Sequence, residues 1–67
     1  MNLATNFAKN LKKTRELKKW SQNKLATRAK ISVSYVSMLE RGNRSAPLNT
    51  VEQVAKALKV EPLALLK

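Results

Sequence analysis

Cysteine, histidine and aspartate are all missing from this 67-residue chain, and glycine occurs only once. Without thiols no disulfide can form, which fits a reducing cytosol, and without Cys or His the usual zinc sites are excluded. Triads, thiol nucleophiles and Asp-containing carboxylate pairs cannot be assembled either. The lone Gly42 rules out a glycine-rich phosphate loop. No lysine sits in an apolar context that would clearly lower its pKa. The chain is therefore not expected to be an enzyme, and no cofactor or small-molecule ligand is expected. Long apolar runs are absent as well: LALL near the C-terminus is far too short to span a bilayer. The opening MNLATNFAKN has no basic region followed by an apolar stretch, so it does not resemble a signal peptide. One Phe, one Trp and one Tyr give no stacking platform of the kind that single-strand binders use.

Acid is scarce too. Four Glu stand against fourteen Lys and Arg, a formal net charge of +10. That balance favours a polyanionic partner, nucleic acid first and an anionic membrane surface second, with lysine for solubility alone as the bland alternative. The length suits one small domain over residues 1–67 with a modest core.

What is present is helical periodicity. Phe7, Leu11, Thr14 and the aliphatic stem of Lys18 recur at helical spacing and predict a first helix over about 5–18, with Leu17 at its edge. In SQNKLATRAKISVSYVSMLERG, residues 21–42, two short helices over about 22–29 and 33–41 flank a tight turn. Leu25, Ala26 and Ala29 form one stripe; Val36 and Leu39 form the next, with Ile31 at the turn. Ser21 and Ser32 stand where N-cap hydroxyls belong, and Gly42 can end a helix in the left-handed conformation. Asn49, with Glu52 three residues on, predicts a capping box for a fourth helix whose apolar face is Val51, Val54, Ala55 and Leu58. Pro62 suits the first turn of a last short helix, where Leu65 and Leu66 can close the core. Such short helices must lean on one another. The expected fold is all-α, a compact five-helix bundle containing a helix–turn–helix at about 21–42.

At this point LKKTRELKKWSQNKLATRAKISVSYVSMLERGNRSAPLNTVEQVAKALKV, residues 11–60, resembles the phage Cro/repressor-type helix–turn–helix family, also called the xenobiotic-response-element type. The ordered set carrying the likeness is Arg15, Ser21-Gln22, Leu25-Ala26, Val36, Leu39-Glu40-Arg41-Gly42 and Ala55 through Leu58. The resemblance implies a lambda-repressor-like bundle that binds operator DNA, usually as a two-fold dimer, and usually represses transcription in a prokaryotic or phage-infected cytoplasm. Two departures stand out: Lys30 and Lys19 replace glycines common in relatives, and lysine enters a left-handed conformation only at an energetic cost.

In this motif the start of helix three enters the major groove. The outward residues there are Ser32, Val33, Ser34, Ser37 and Met38, a set without the Arg, Asn or Gln that make bidentate base contacts. Val33 and Met38 could pack on thymine methyls, leaving DNA shape to carry part of the specificity; alternatively they cover a helix edge or meet a protein. Phosphate contacts are expected from Ser21 and Gln22 at a positive helix end, from Tyr35, and from Arg41, Asn43 and Arg44, where relatives grip the backbone. The alternatives are a capping amide for Gln22, a core aromatic for Tyr35 and a solvated basic turn for the last three. Lys24 and Arg28 are possible helpers, and Lys12 and Lys13 belong to a solvated face.

The resemblance also pairs Arg15 with Glu40 as a structural tie between helices one and three. Trp20 is read as a plug in the helix one–two corner. Pro47, Leu48 and Leu63 are candidates for a weak two-fold contact. The competing functional reading is a protein-interaction module of the same fold, such as an antitoxin or a restriction-system controller protein. An antitoxin would usually carry an additional toxin-binding segment.

Overall fold

The computed structural model describes residues 3–42 and 45–67, the side chain of Leu3 excepted, and over these the chain is entirely helical apart from turns. Five helices follow one another: α1 (Leu3–Leu17), α2 (Gln22–Ala29), α3 (Val33–Arg41), α4 (Leu48–Leu58) and α5 (Pro62–Leu66). The all-α, five-helix expectation holds. α2 lies against both α3 and α4, α1 against α3 and α5, and α4 against α5. None of these helices is long and apolar enough to cross a membrane.

The core forms where the apolar stripes meet. Phe7 and Leu11 of α1, Leu25, Ala26 and Ala29 of α2, and Val36 and Leu39 of α3 are buried. So are Val51, Val54, Ala55 and Leu58 of α4 and Leu65 of α5. Ile31, Trp20, Tyr35, Val60 and Leu66 pack on its margin. Helices of 5 to 15 residues are marginal alone, and burial of these stripes supplies what hydrogen bonding within each helix cannot. α1 departs from its expected stripe in one respect. Lys18 lies beyond the helix and is exposed, while Ala8 and Arg15 take the buried positions; Leu17 is 74% exposed.

Three of the helices end in the same way. After α1, α2 and α4 come Lys19, Lys30 and Lys59, each in the left-handed region at φ 60, 61 and 59°. In each case the residue after the lysine donates its N–H five residues back, Trp20 to Arg15, Ile31 to Ala26 and Val60 to Ala55, at 3.0–3.1 Å. The lysine N–H closes the shorter loop, to Glu16, Thr27 and Lys56. This is the Schellman ending, and its accompanying apolar residue is Trp20, Ile31 or Val60, each packed on the core. Lys19 and Lys30 thus keep the left-handed turn that relatives make with glycine, and Lys59 makes a third that no glycine comparison points to. Gly42 ends α3 at φ 75°, and a Cβ placed there would stand 3.3 Å from the Ala8 Cβ on α1.

The N-termini divide. Ser21 Oγ accepts from the Lys24 N–H and Ser32 Oγ from the Tyr35 N–H, both at 3.0 Å, as the capping pattern predicts. The capping box expected from Asn49 and Glu52 does not form. α4 starts two residues earlier, with Pro47 as its N-cap and no side-chain cap bond. The Pro47 ring holds φ at −59°, and its carbonyl accepts from both Thr50 and Val51 at 3.0 and 3.1 Å. The Thr50 bond takes up an N–H that a capping side chain would otherwise satisfy. Three side-chain bonds then lock the bundle: Asn10 Nδ2 donates to Leu65 O, Gln53 Nε2 to Ala29 O, and Tyr35 Oη pairs with Thr50 Oγ1.

Candidate nucleic-acid interface

The turn after Ala29 fixes the angle between α2 and α3 and leaves one side of α3 uncovered. Val36 and Leu39 point inward and are fully buried. Ser32, Val33 and Ser34 are exposed, and Ser37 and Met38 are half-buried on the same helix. Val33, at 40% exposure, is a large apolar side chain facing water at a helix start. Ser32 accepts from its own helix, so its hydroxyl proton is free to donate outward; Ser21 is in the same state at the start of α2.

Behind these helices lies a polar cluster. Arg15 Nε donates to Glu40 Oε2 at 2.7 Å and Nη2 to Oε1 at 3.0 Å, a bidentate pair whose side chains are 11% and 5% exposed. Nη1 donates to the Trp20 carbonyl at 2.7 Å. The bond to Glu40 raises the Arg15 pKa above its ordinary value, outweighing the effect of burial, so this guanidinium is charged at every working pH. Gln22 Nε2 joins the cluster by donating to Glu40 Oε1 at 3.0 Å. One amide hydrogen of Gln22 is thereby held inside, and the amide keeps a second hydrogen to offer a phosphate. The same bond ties the start of α2 to the end of α3, where the next residue, Arg41, is exposed.

Tyr35 is half-buried, rests against the core and shares a 3.2 Å hydrogen bond with the buried Thr50. The ring packs as a core-edge aromatic, while a phenol that accepts from Thr50 still has its proton to donate. Trp20 fills the corner between α1 and α2. Lys18, Lys24 and Arg28 hold their charges 5.9, 5.3 and 5.7 Å from its ring centroid. Asn43 and Arg44 lie outside the described residues. Pro47, Leu48 and Leu63 are exposed, the leucines at 67% and 62%. Leu48 borders an apolar cleft of about 200 Å³ floored by Phe7, Val51 and Leu66.

This arrangement of α2 and α3 has counterparts. A family model for the helix-turn-helix (HTH_3) matches residues 11–65. The chain belongs to the HTH_3 helix-turn-helix family. Among HTH_3 relatives, the control protein C.BamHI of Bacillus amyloliquefaciens is 44% identical over 46 residues, which is 69% of this chain and 57% of that protein. The chain thus spans a little over half the length of this curated relative. The hypothetical transcription factor NHTF from Neisseria superposes with a TM-score of 0.93 at 35% identity, covering 98% of this chain and 76% of that one. The restriction-modification controller protein C.AhdI from Aeromonas hydrophila superposes with a TM-score of 0.87, also at 35% identity, covering 92% and 94%. The relatives of this HTH_3 chain are thus transcription regulators and restriction-modification controllers by name.

Sequence reasoning missed Thr50, Gln53 and Asn10 as ties between helices. Thr50 had a signal, since it lies four residues before Val54 on the buried stripe of α4. Asn10 and Gln53 had none, because an exposed-looking amide in a helix shows its partner only after the chain has folded.

Proposed function

We propose that this chain is a sequence-specific double-stranded DNA-binding transcription regulator, a repressor that reads a two-fold operator with α3 in the major groove. The whole chain serves as one DNA-binding module in a prokaryotic cytoplasm and is not an enzyme. The observation that carries this reading is the helix–turn–helix of an HTH_3 chain with net charge +10 whose α3 leaves its outer side uncovered. Ser32, Val33, Ser34, Ser37 and Met38 read bases, with Val33 and Met38 against thymine methyls. Ser21, Gln22, Tyr35, Arg41, Asn43 and Arg44 hold phosphates, and those contacts supply most of the affinity. Pro47, Leu48 and Leu63 form a small two-fold contact that completes a weak homodimer on DNA.

The controller relatives favour a more specific role. Similarity to C.BamHI and C.AhdI supports control of a restriction-modification system rather than service as an antitoxin.

Selection of bound duplexes from a random library, followed by affinity against salt, tests the reading. A two-fold motif with half-sites about one helical turn apart, and steeply salt-dependent binding, is the expected result. Enrichment of no sequence would reduce the chain to a nonspecific binder or a protein-interaction module.

A further inference from the structure

The C-terminal ends of α2 and α4 line an open cleft of about 400 Å³. Ala29 and Ala57 form its small-residue floor, and Gln53 bridges it by donating to the Ala29 carbonyl. The remaining lining residues are Arg28, Lys30, Lys56 and Lys59, and no acidic residue lines it. The only ion pair among the described residues joins Arg15 to Glu40, so none of these four cations has a carboxylate partner there. Two of them, Lys30 and Lys59, are the left-handed ends of α2 and α4, conformations in which a non-glycine residue is strained. The chain therefore concentrates uncompensated positive charge around a concavity in which none of the proposed base-reading residues takes part.

We infer that this cleft docks an acidic protein segment, a stretch of a partner carrying several Asp or Glu side chains. A phosphate ligand fits it poorly. The N–H groups of Lys30 and Lys59 are bonded back into their own helices, so no backbone cradle is offered. No aromatic ring lines the cleft to stack a nucleobase. A DNA duplex is far too wide to enter it. Ammonium groups on long stems around a rim suit carboxylates spaced along a peptide, each a point charge met singly. The cleft and the α3 edge share no residue, and Arg28, which also lies over the Trp20 ring, is the one lining residue that DNA bound along α2 would reach. The inference stands on the cleft and does not require the DNA reading.

The test is a nitrogen-15 NMR titration of the full chain with a peptide of repeating Asp-Glu-Ser, and separately with tripolyphosphate. The peptide should shift the amides of Lys30, Gln53, Lys56 and Lys59 and leave those of Ser34 and Ser37 in place. The variant Lys56→Glu/Lys59→Gly alters two exposed positions, and its spectrum reports whether it is folded. It should bind the peptide about tenfold more weakly, the sum of a few exposed charge contacts. Duplex affinity, measured beside it, tracks the DNA reading separately. Absence of peptide binding, shifts centred on α3, or equal affinity of the folded variant would each overturn the inference. Tighter binding of tripolyphosphate than of peptide in this cleft would overturn it in favour of a phosphate site.

Discussion

Lysine occupies every left-handed non-glycine position among the described residues, and two opposing effects act there. The backbone strain is about 1–2 kcal/mol relative to glycine, whose greater freedom in the unfolded chain returns part of that difference. The lysine charge near a helix C-terminus contributes roughly 0.3–1 kcal/mol, and salt screens it. Lys59→Gly should therefore stabilise the chain by about 0.5–1 kcal/mol in high salt, with a smaller gain in low salt. Thermal unfolding at two ionic strengths checks the sign and its dependence. The reverse holds at Gly42, where a Cβ meets both a left-handed φ and the Ala8 Cβ. Gly42→Ala should lower stability by about 1–2 kcal/mol. The Arg15–Glu40 pair is more demanding still. Either residue changed to Ala leaves the other charge nearly buried, at about 3–5 kcal/mol. Removing both should cost clearly less than the sum of the single changes, as a double-mutant cycle in urea would report.

At the scale of elements, α2 and α3 start on serine caps while α4 starts on proline. Ser21→Ala and Ser32→Ala should each destabilise by about 1 kcal/mol. Asn49→Ala should leave the melting temperature nearly unmoved, because no cap bond is lost. That contrast shows what could be read before the structure. α2 and α3 carry apolar residues at helical spacing, a capping serine and a terminator within nine residues or so, and their spans were legible. For α4 the capping pattern pointed to Asn49, and only the path of the chain into the helix moves the start back to Pro47. The Arg15–Glu40 tie was readable by resemblance, because both residues sit in the most specific part of the family pattern. Gln22 turning one amide hydrogen to Glu40, and Tyr35 meeting Thr50, were not readable: each depends on which of two polar groups lies within 3 Å once the helices have packed. The outward side of α3 was legible as a set of positions, since burial of Val36 and Leu39 fixes which side faces out.

For the molecule as a whole, the proposed two-fold contact and the net charge of +10 give the predictions on DNA. Leu48 and Leu63 are exposed large hydrophobes that contribute little to the monomer's core. Leu63→Lys should leave thermal stability within about 0.5 kcal/mol, the usual range for a surface change, while weakening operator binding through loss of the second half-site. Sedimentation with operator present would show whether two chains or one bind. Arg41→Ala should weaken binding to all duplexes alike and reduce the salt slope by about one, the mark of a phosphate contact rather than a base contact.

The single tryptophan sits where all of this can be seen. Trp20 has three cations around its ring, its carbonyl is held by Arg15, and it directly precedes the N-cap of α2. Its indole is thus an optical reporter already built into the chain. Duplex phosphates that draw Lys24 or Arg28 away from the ring would alter its local field and hence its emission, so engagement of α2 can be followed without any attached dye.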